Sequence, residues 1–158
     1  MPYCNEGSFA SGRIMSGLLL EPIDSTTKAP IVGKVAASIY SYATEPDPFL
    51  ANTETWPSNV AETPPMQLGA LAASSAGTYT LVPDVIGNGE DWESVRSYVV
   101  KEVYQASAIP LLLKVKDVLE SNYNGCTLLD KRVAIMGYSE GGYATVSIAD
   151  AIDMLDDG

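Results

Sequence analysis

The sequence predicts an α/β fold, a largely parallel sheet with helices on both faces. Three observations predict it. Short apolar or β-branched runs alternate with segments of helical character, in the order β, β, long loop, α, β, α, β, α. An irregular Gly- or Pro-rich segment follows three of the strand candidates, and in such sheets ligands collect at the strand carboxyl ends. The chain has 158 residues, 46% hydrophobic and 18% charged, which is a one-domain length able to bury a core.

The elements follow in order. "RIMSGLLLEP" (residues 13–22) reads as a strand closed by a proline turn, and "GKVAASIYSYA" (33–43) as a second strand of small and β-branched residues. The stretch "TEPDPFLANTETWPSNVAETPP" (44–65) holds five prolines, which forbid a helix or central strand through it. "MQLGALAASSAG" (66–77) is an Ala-rich helix with Gly77 as its C-terminal cap. "TYTLVPD" (78–84) is a short buried strand, and "VIGNGED" (85–91) a Gly-rich turn. Leu111, Leu112, Val115, Val118 and Leu119 share one helical face. Pro110 either sits in the first turn of that helix, capped by Ser107, or kinks a longer one starting near Tyr98. "KRVAIMG" (131–137) is again a strand, basic at its start, then continuously apolar and ended by glycine. From Glu140 a helix of small residues runs into the acidic end "DMLDDG".

Composition excludes several classes. Twenty acidic against nine basic residues give a formal charge of −11, which repels phosphate backbones and anionic lipid surfaces. No nucleic-acid partner is expected. Cys4 and Cys126 are too few for a disulfide scaffold, and with no histidine in the chain no metal site or cofactor is expected. No apolar run approaches membrane-spanning length. The opening "MPYCNEGSFASGR" lacks the basic-then-apolar pattern of a leader. The G-x-G of "IGNGED" lacks a third glycine and is followed by acids, which disfavours a phosphate-binding reading.

The chemistry concentrates at Gly137-Tyr138-Ser139-Glu140-Gly141, a G-x-S-x-G pattern between a buried strand and a small-residue helix. That spacing suits a sharp strand-to-helix turn that lifts a serine hydroxyl above the sheet, with glycines where side chains would clash. Gly142 and Ala144 are expected to let the helix pack closely on the sheet. Ser139 is the candidate nucleophile, and the backbone N–H of Glu140 a candidate oxyanion donor. The Glu140 carboxyl is expected to be exposed or ion-paired, with a partly buried position as the alternative. A serine needs a base. Lys131 and Lys34 start their strands, at the far end of the sheet, and Lys101, Lys114 and Lys116 fall on a solvated helix face. None supplies one.

With these residues in hand, the chain resembles the amino-terminal half of an α/β-hydrolase, in the secretory lipase and esterase branch with "GYSxGG" elbows. The resemblance runs from about Ser11 to Ile152. It includes "ASGRIMSGLLLEP", "SYAT" where the family carries a His-Gly-Thr-like oxyanion loop, "PSN", and "LGALAASSAGTYTLVPDVIGNGE". It implies a single, incomplete α/β-hydrolase domain over residues 1–158, cut after the helix that follows the elbow. It also implies a serine carboxylic-ester hydrolase acting on an ester or lipid, with Ala43 or Thr44 completing the oxyanion site. The family's turn aspartate, here Asp84, is usually structural. Two departures stand out. Tyr42-Ala43 replaces the family's His-Gly, with Tyr42 read as a packing residue, and the triad's Asp and His, which follow the serine in chain order, are absent. The chain alone is therefore expected to be inactive. A non-catalytic binding or scaffold relative and a serine peptidase of the same fold are the alternatives. The lipase branch is often secreted.

Overall fold

The structure is a computed structural model. It describes residues 15–31, 33–41, 74–91, 93–122 and 127–156. Four strands, β1 (Gly17–Leu20), β2 (Gly33–Ser41), β3 (Tyr79–Pro83) and β4 (Thr127–Gly137), form one sheet in the order β1-β3-β2-β4. Two long helices accompany them, α1 (Lys101–Asn122) and α2 (Glu140–Asp156), with a 3-10 turn at Gly89–Asp91. β2 runs parallel to both β3 and β4, while β1 is antiparallel to β3. The sheet is mixed and mostly parallel, an α/β fold. β3 and β4 lie parallel to each other on either side of β2, and α1 is the crossover that joins them.

Central β2 is buried from Ala37 to Ser41, as its run of small and β-branched residues requires of a strand covered on both faces. α1 and α2 pack on each other and on the same face of the sheet. Val115 and Leu119 of α1 cluster with Val35, Tyr79 and Leu81. Ala144, Ile148 and Ala151 of α2 join Val103, Tyr104, Ala108 and Ile109 of α1. On the opposite face Ser38, Tyr40, Thr80 and Val82 are buried as well. There Ser38 satisfies its hydroxyl against Thr80 Oγ1 at 2.8 Å and Thr78 Oγ1 at 3.0 Å. Of the helix expected over 66–77, only the end is described. Gly77 adopts φ +88° and donates its N–H to Ser74 O at 3.0 Å, the capping geometry read from the sequence.

Three elements differ from expectation. α1 is continuous through Pro110 and begins at Lys101, so the longer helix forms, starting three residues after Tyr98. The ring is tolerated because Pro110 lies on the exposed side. Ser107, rather than capping, donates to Val103 O at 2.8 Å and accepts the Ile86 N–H at 3.1 Å. β4 starts at Thr127, four residues early, because the register slips between Val35 and Ala37 and absorbs extra β4 residues. Lys131 therefore stands mid-strand rather than at its start. Finally, β4 is only half-buried at Val133, Ile135 and Met136, and Ala134 is exposed. Among the described residues β4 is an edge strand, so burial reaches it from one side alone.

Candidate functional site

Because β2, β3 and β4 are parallel, their carboxyl ends share one edge. Ser41 pairs with Gly137, and the Ile39–Leu81 pairing brings Pro83 level with Ser41. The Gly-rich turn leaves β3 here and the serine turn leaves β4 here. Tyr42, Ala43, Thr44 and the rest of the Pro-rich stretch lie outside the described residues, as do Cys4 and Cys126.

Between β4 and α2 the chain turns through Ser139 at φ +58°, one of three non-glycine residues in the left-handed region among those described. Ser139 is exposed. The turn closes tightly, with Gly141 N–H on Tyr138 O and Gly142 N–H on Ser139 O, both at 2.9 Å. Gly137 is obligatory here. A Cβ on it would collide with the Gly141 carbonyl and lie 2.7 Å from Thr145 Oγ1. Gly142 faces open space, so close packing on the sheet falls to Ala144, which is buried, and not to Gly142. Strand, left-handed serine and helix together make a sharp strand-to-helix turn that presents the Ser139 hydroxyl to solvent.

Glu140 is both buried and ion-paired. Its residue is 5% exposed, and Arg96 Nη2 donates to Oε2 at 2.7 Å. The Tyr104 hydroxyl donates to the other carboxylate oxygen. Burial, then the hydrogen bond to Glu140, raises the Tyr104 phenol well above its ordinary value, so it remains a donor. Tyr104 also accepts the N–H of Val99 at 3.1 Å, and Val99 is itself left-handed at φ +56°. Its ring meets Tyr143 of α2 edge-on, with centroids 5.8 Å apart. Magnitudes decide what this does. A left-handed non-glycine residue costs about 1–2 kcal/mol. Removing one partner from a buried ion pair costs about 3–5 kcal/mol. The second figure is the cost of leaving the Glu140 charge buried without its partner, so any movement of residue 140 that breaks the pair is more costly than the strain at the serine beside it.

The Gly-rich turn seats this anchor. Gly87, at φ +92°, lets the Arg96 backbone approach, since a Cβ there would lie 2.6 Å from Arg96 N. Gly89, at φ +61°, lies against Asp84 and Ser16, leaving no room for a side chain. Asp84 is fully buried, accepts the Ser16 hydroxyl, and donates its N–H to Ser16 O at 3.0 Å. It ties the turn to the segment before β1. Ser41, Arg96, Tyr104, Ser107 and Glu140 together line a cavity of about 10 Å³, the size of one water site.

Sequence reasoning found Ser139, Glu140 and the glycines and missed Arg96 and Tyr104. No local motif marks Arg96. Tyr104 carries a faint signal, since it continues the apolar face of α1 at helical spacing through Ala108, Leu111 and Val115. Of the lysines checked as bases, Lys34 pairs with Asp130, Lys101 with Asp150 and Lys114 with Asp117. Among the described residues no cluster of three or more His, Cys, Asp or Glu could hold a metal, and no helix is long and apolar enough to cross a membrane.

No protein-family model and no curated protein matches the chain. Among solved structures, a Legionella pneumophila protein described provisionally as a hydrolase matches with a TM-score of 0.69 and 24% identity. The match covers 94% of this chain and 36% of that protein. The two share a fold, and this chain spans about a third of the other's length.

Proposed function

We propose that the chain carries the nucleophile-bearing part of a single α/β-hydrolase domain, a lipase- or esterase-like serine carboxylic-ester hydrolase. The observation that carries this reading is Ser139, held exposed at φ +58° between a parallel strand and a helix N-terminus. In this role the Ser139 hydroxyl attacks an ester carbonyl. The negative charge that develops on the carbonyl oxygen meets the Glu140 N–H at the positive end of α2, with a second N–H from Ala43 or Thr44. The serine's proton goes to a histidine oriented by an acid. The chain has no histidine, so this reading requires that base, with the acid that orients it, from outside these 158 residues. The 36% coverage of the Legionella protein supports that division.

The test is covalent labelling with a fluorophosphonate ester, followed by peptide mapping, on the full gene product that contains this sequence. Labelling at Ser139, abolished in Ser139→Ala, is the expected result. A folded full product that resists the probe overturns the reading. The absence of histidine favours a second reading, a non-catalytic binding relative that keeps the turn for the fold's sake. It predicts no labelling and ligand or partner binding that survives Ser139→Ala.

A further inference from the structure

Resting on the reading of Ser139 as a nucleophile, we infer that Arg96 and Tyr104 are positioning residues for the serine turn. They act through the buried carboxylate of Glu140. Three observations converge on this. The turn is closed by two short backbone hydrogen bonds, from Gly141 and Gly142, around a serine in a strained conformation. Strain of that kind persists only where the surroundings over-determine it. The residue that follows the serine buries its carboxylate and receives one donor on each oxygen, from Arg96 and from Tyr104. Those donors are held in turn: Arg96 by close seating on Gly87, and Tyr104 by the Val99 N–H and its packing on Tyr143.

The consequence is directional. For Ser139 to relax out of its left-handed conformation, residue 140 must rotate, and rotation draws its carboxylate away from both donors. The Gly-rich turn after β3 and the first turns of α1 thus fix a geometry at the end of β4 through a single side chain. A second bridge between the same helices offers a contrast. Lys101 Nζ pairs with Asp150 Oδ2 at 2.8 Å, but at the exposed surface, some turns along α2 from the serine. That bridge can hold the helices together without touching the serine turn.

The experiment follows amide hydrogen exchange by NMR in the 158-residue chain as it stands, in Tyr104→Phe, Arg96→Gln and the control Lys101→Gln. Exchange at Gly141 and Gly142 is expected to rise at least tenfold in the first two variants. Amides of β2 and central α1 should keep their wild-type rates, and the control should change nothing at the turn. A role confined to general stability would instead accelerate exchange across the whole of α2, and that pattern, or unchanged rates at Gly141 and Gly142, overturns the inference. Arg96→Lys, which keeps the charge, is expected to recover most of the protection, and with Tyr104→Phe it carries the test where Arg96→Gln fails to fold. In the full gene product the same substitutions should slow fluorophosphonate labelling of Ser139 at least tenfold, and labelling at the wild-type rate overturns the positioning role. Absence of labelling in the wild type removes the hydrolase reading alone, since exchange at the turn then still decides what Arg96 and Tyr104 do.

Discussion

Val99 shows how much a single residue reveals about its surroundings. A β-branched side chain at φ +56° is unfavourable, because Cβ crowds the following carbonyl. The conformation is held by the Val99 N–H on the Tyr104 hydroxyl, just ahead of α1. Asparagine accepts this region readily, and Val99 is 39% exposed, so little packing would be lost. Val99→Asn is expected to raise unfolding stability by about 1 kcal/mol, read as a higher urea midpoint at unchanged slope. The strain at Val99 was illegible in the sequence, whereas that at Ser139 was legible. The difference is physical: glycines flanking a serine after an apolar strand announce a special turn locally, but nothing near "RSYVV" does. Arg96 and Tyr104 escaped notice for the same reason, because their meaning depends on a carboxylate some forty residues away in the chain.

Among the elements, β4 departs furthest from its sequence signal, and the departure creates an electrostatic feature. The apolar run of "KRVAIMG" that ends in glycine marked the strand, but the irregularity upstream extended it. At that irregularity Asp130 accepts from the Arg132 backbone N–H and guanidinium, both at 3.2 Å, with Lys34 Nζ 3.6 Å away. The Arg132 side-chain hydrogen bond, then its backbone N–H and the nearby charges, lowers the Asp130 carboxyl from its usual 3.8 to about 2. The folded state therefore favours the ionised form. The stability this adds is fully present above about pH 4 and is lost as pH falls through about 2. The stability difference between wild type and Asp130→Asn should be constant above that range and narrow below it, as chemical denaturation at a series of pH values would show. Elsewhere helix and strand types were readable where one periodicity ran uninterrupted, as in β2 and α2. Pro110 left two readings of α1 because a proline's tolerance depends on which face is exposed, and that is a tertiary fact.

For the whole molecule, the described sheet has one well-protected centre and one open side. β4 offers its outer backbone edge with half-buried Val133, Ile135 and Met136 beside it and exposed Ala134 between them. Asp130, Lys131 and Arg132 charge the upstream part of this edge, but residues 133–136 carry no charge, and an apolar edge segment is a template for further strand pairing. The 158-residue chain alone is expected to associate as its concentration rises, measurable by analytical ultracentrifugation. Ala134→Lys, a charge placed on that edge, should shift the chain back toward monomer with little loss of stability. The α/β class and the convergence of segments at one edge were legible because alternating elements leave few topologies open. The strand order, and the placing of both described helices on one face, were not, since pairing partners far apart in the chain leave no local trace.

The order β1-β3-β2-β4 also bears on how the chain comes to be folded during its synthesis. β2 is complete early, yet its pairing with β4 joins residues such as Gly33 and Thr127, roughly 90 positions apart. At about 5–20 residues per second, a ribosome leaves β2 waiting roughly 5 to 20 seconds for that neighbour. Partway through that interval β3 arrives and the sheet can grow on it and β1, but there is still no serine turn. That turn is made only after every described strand of the sheet.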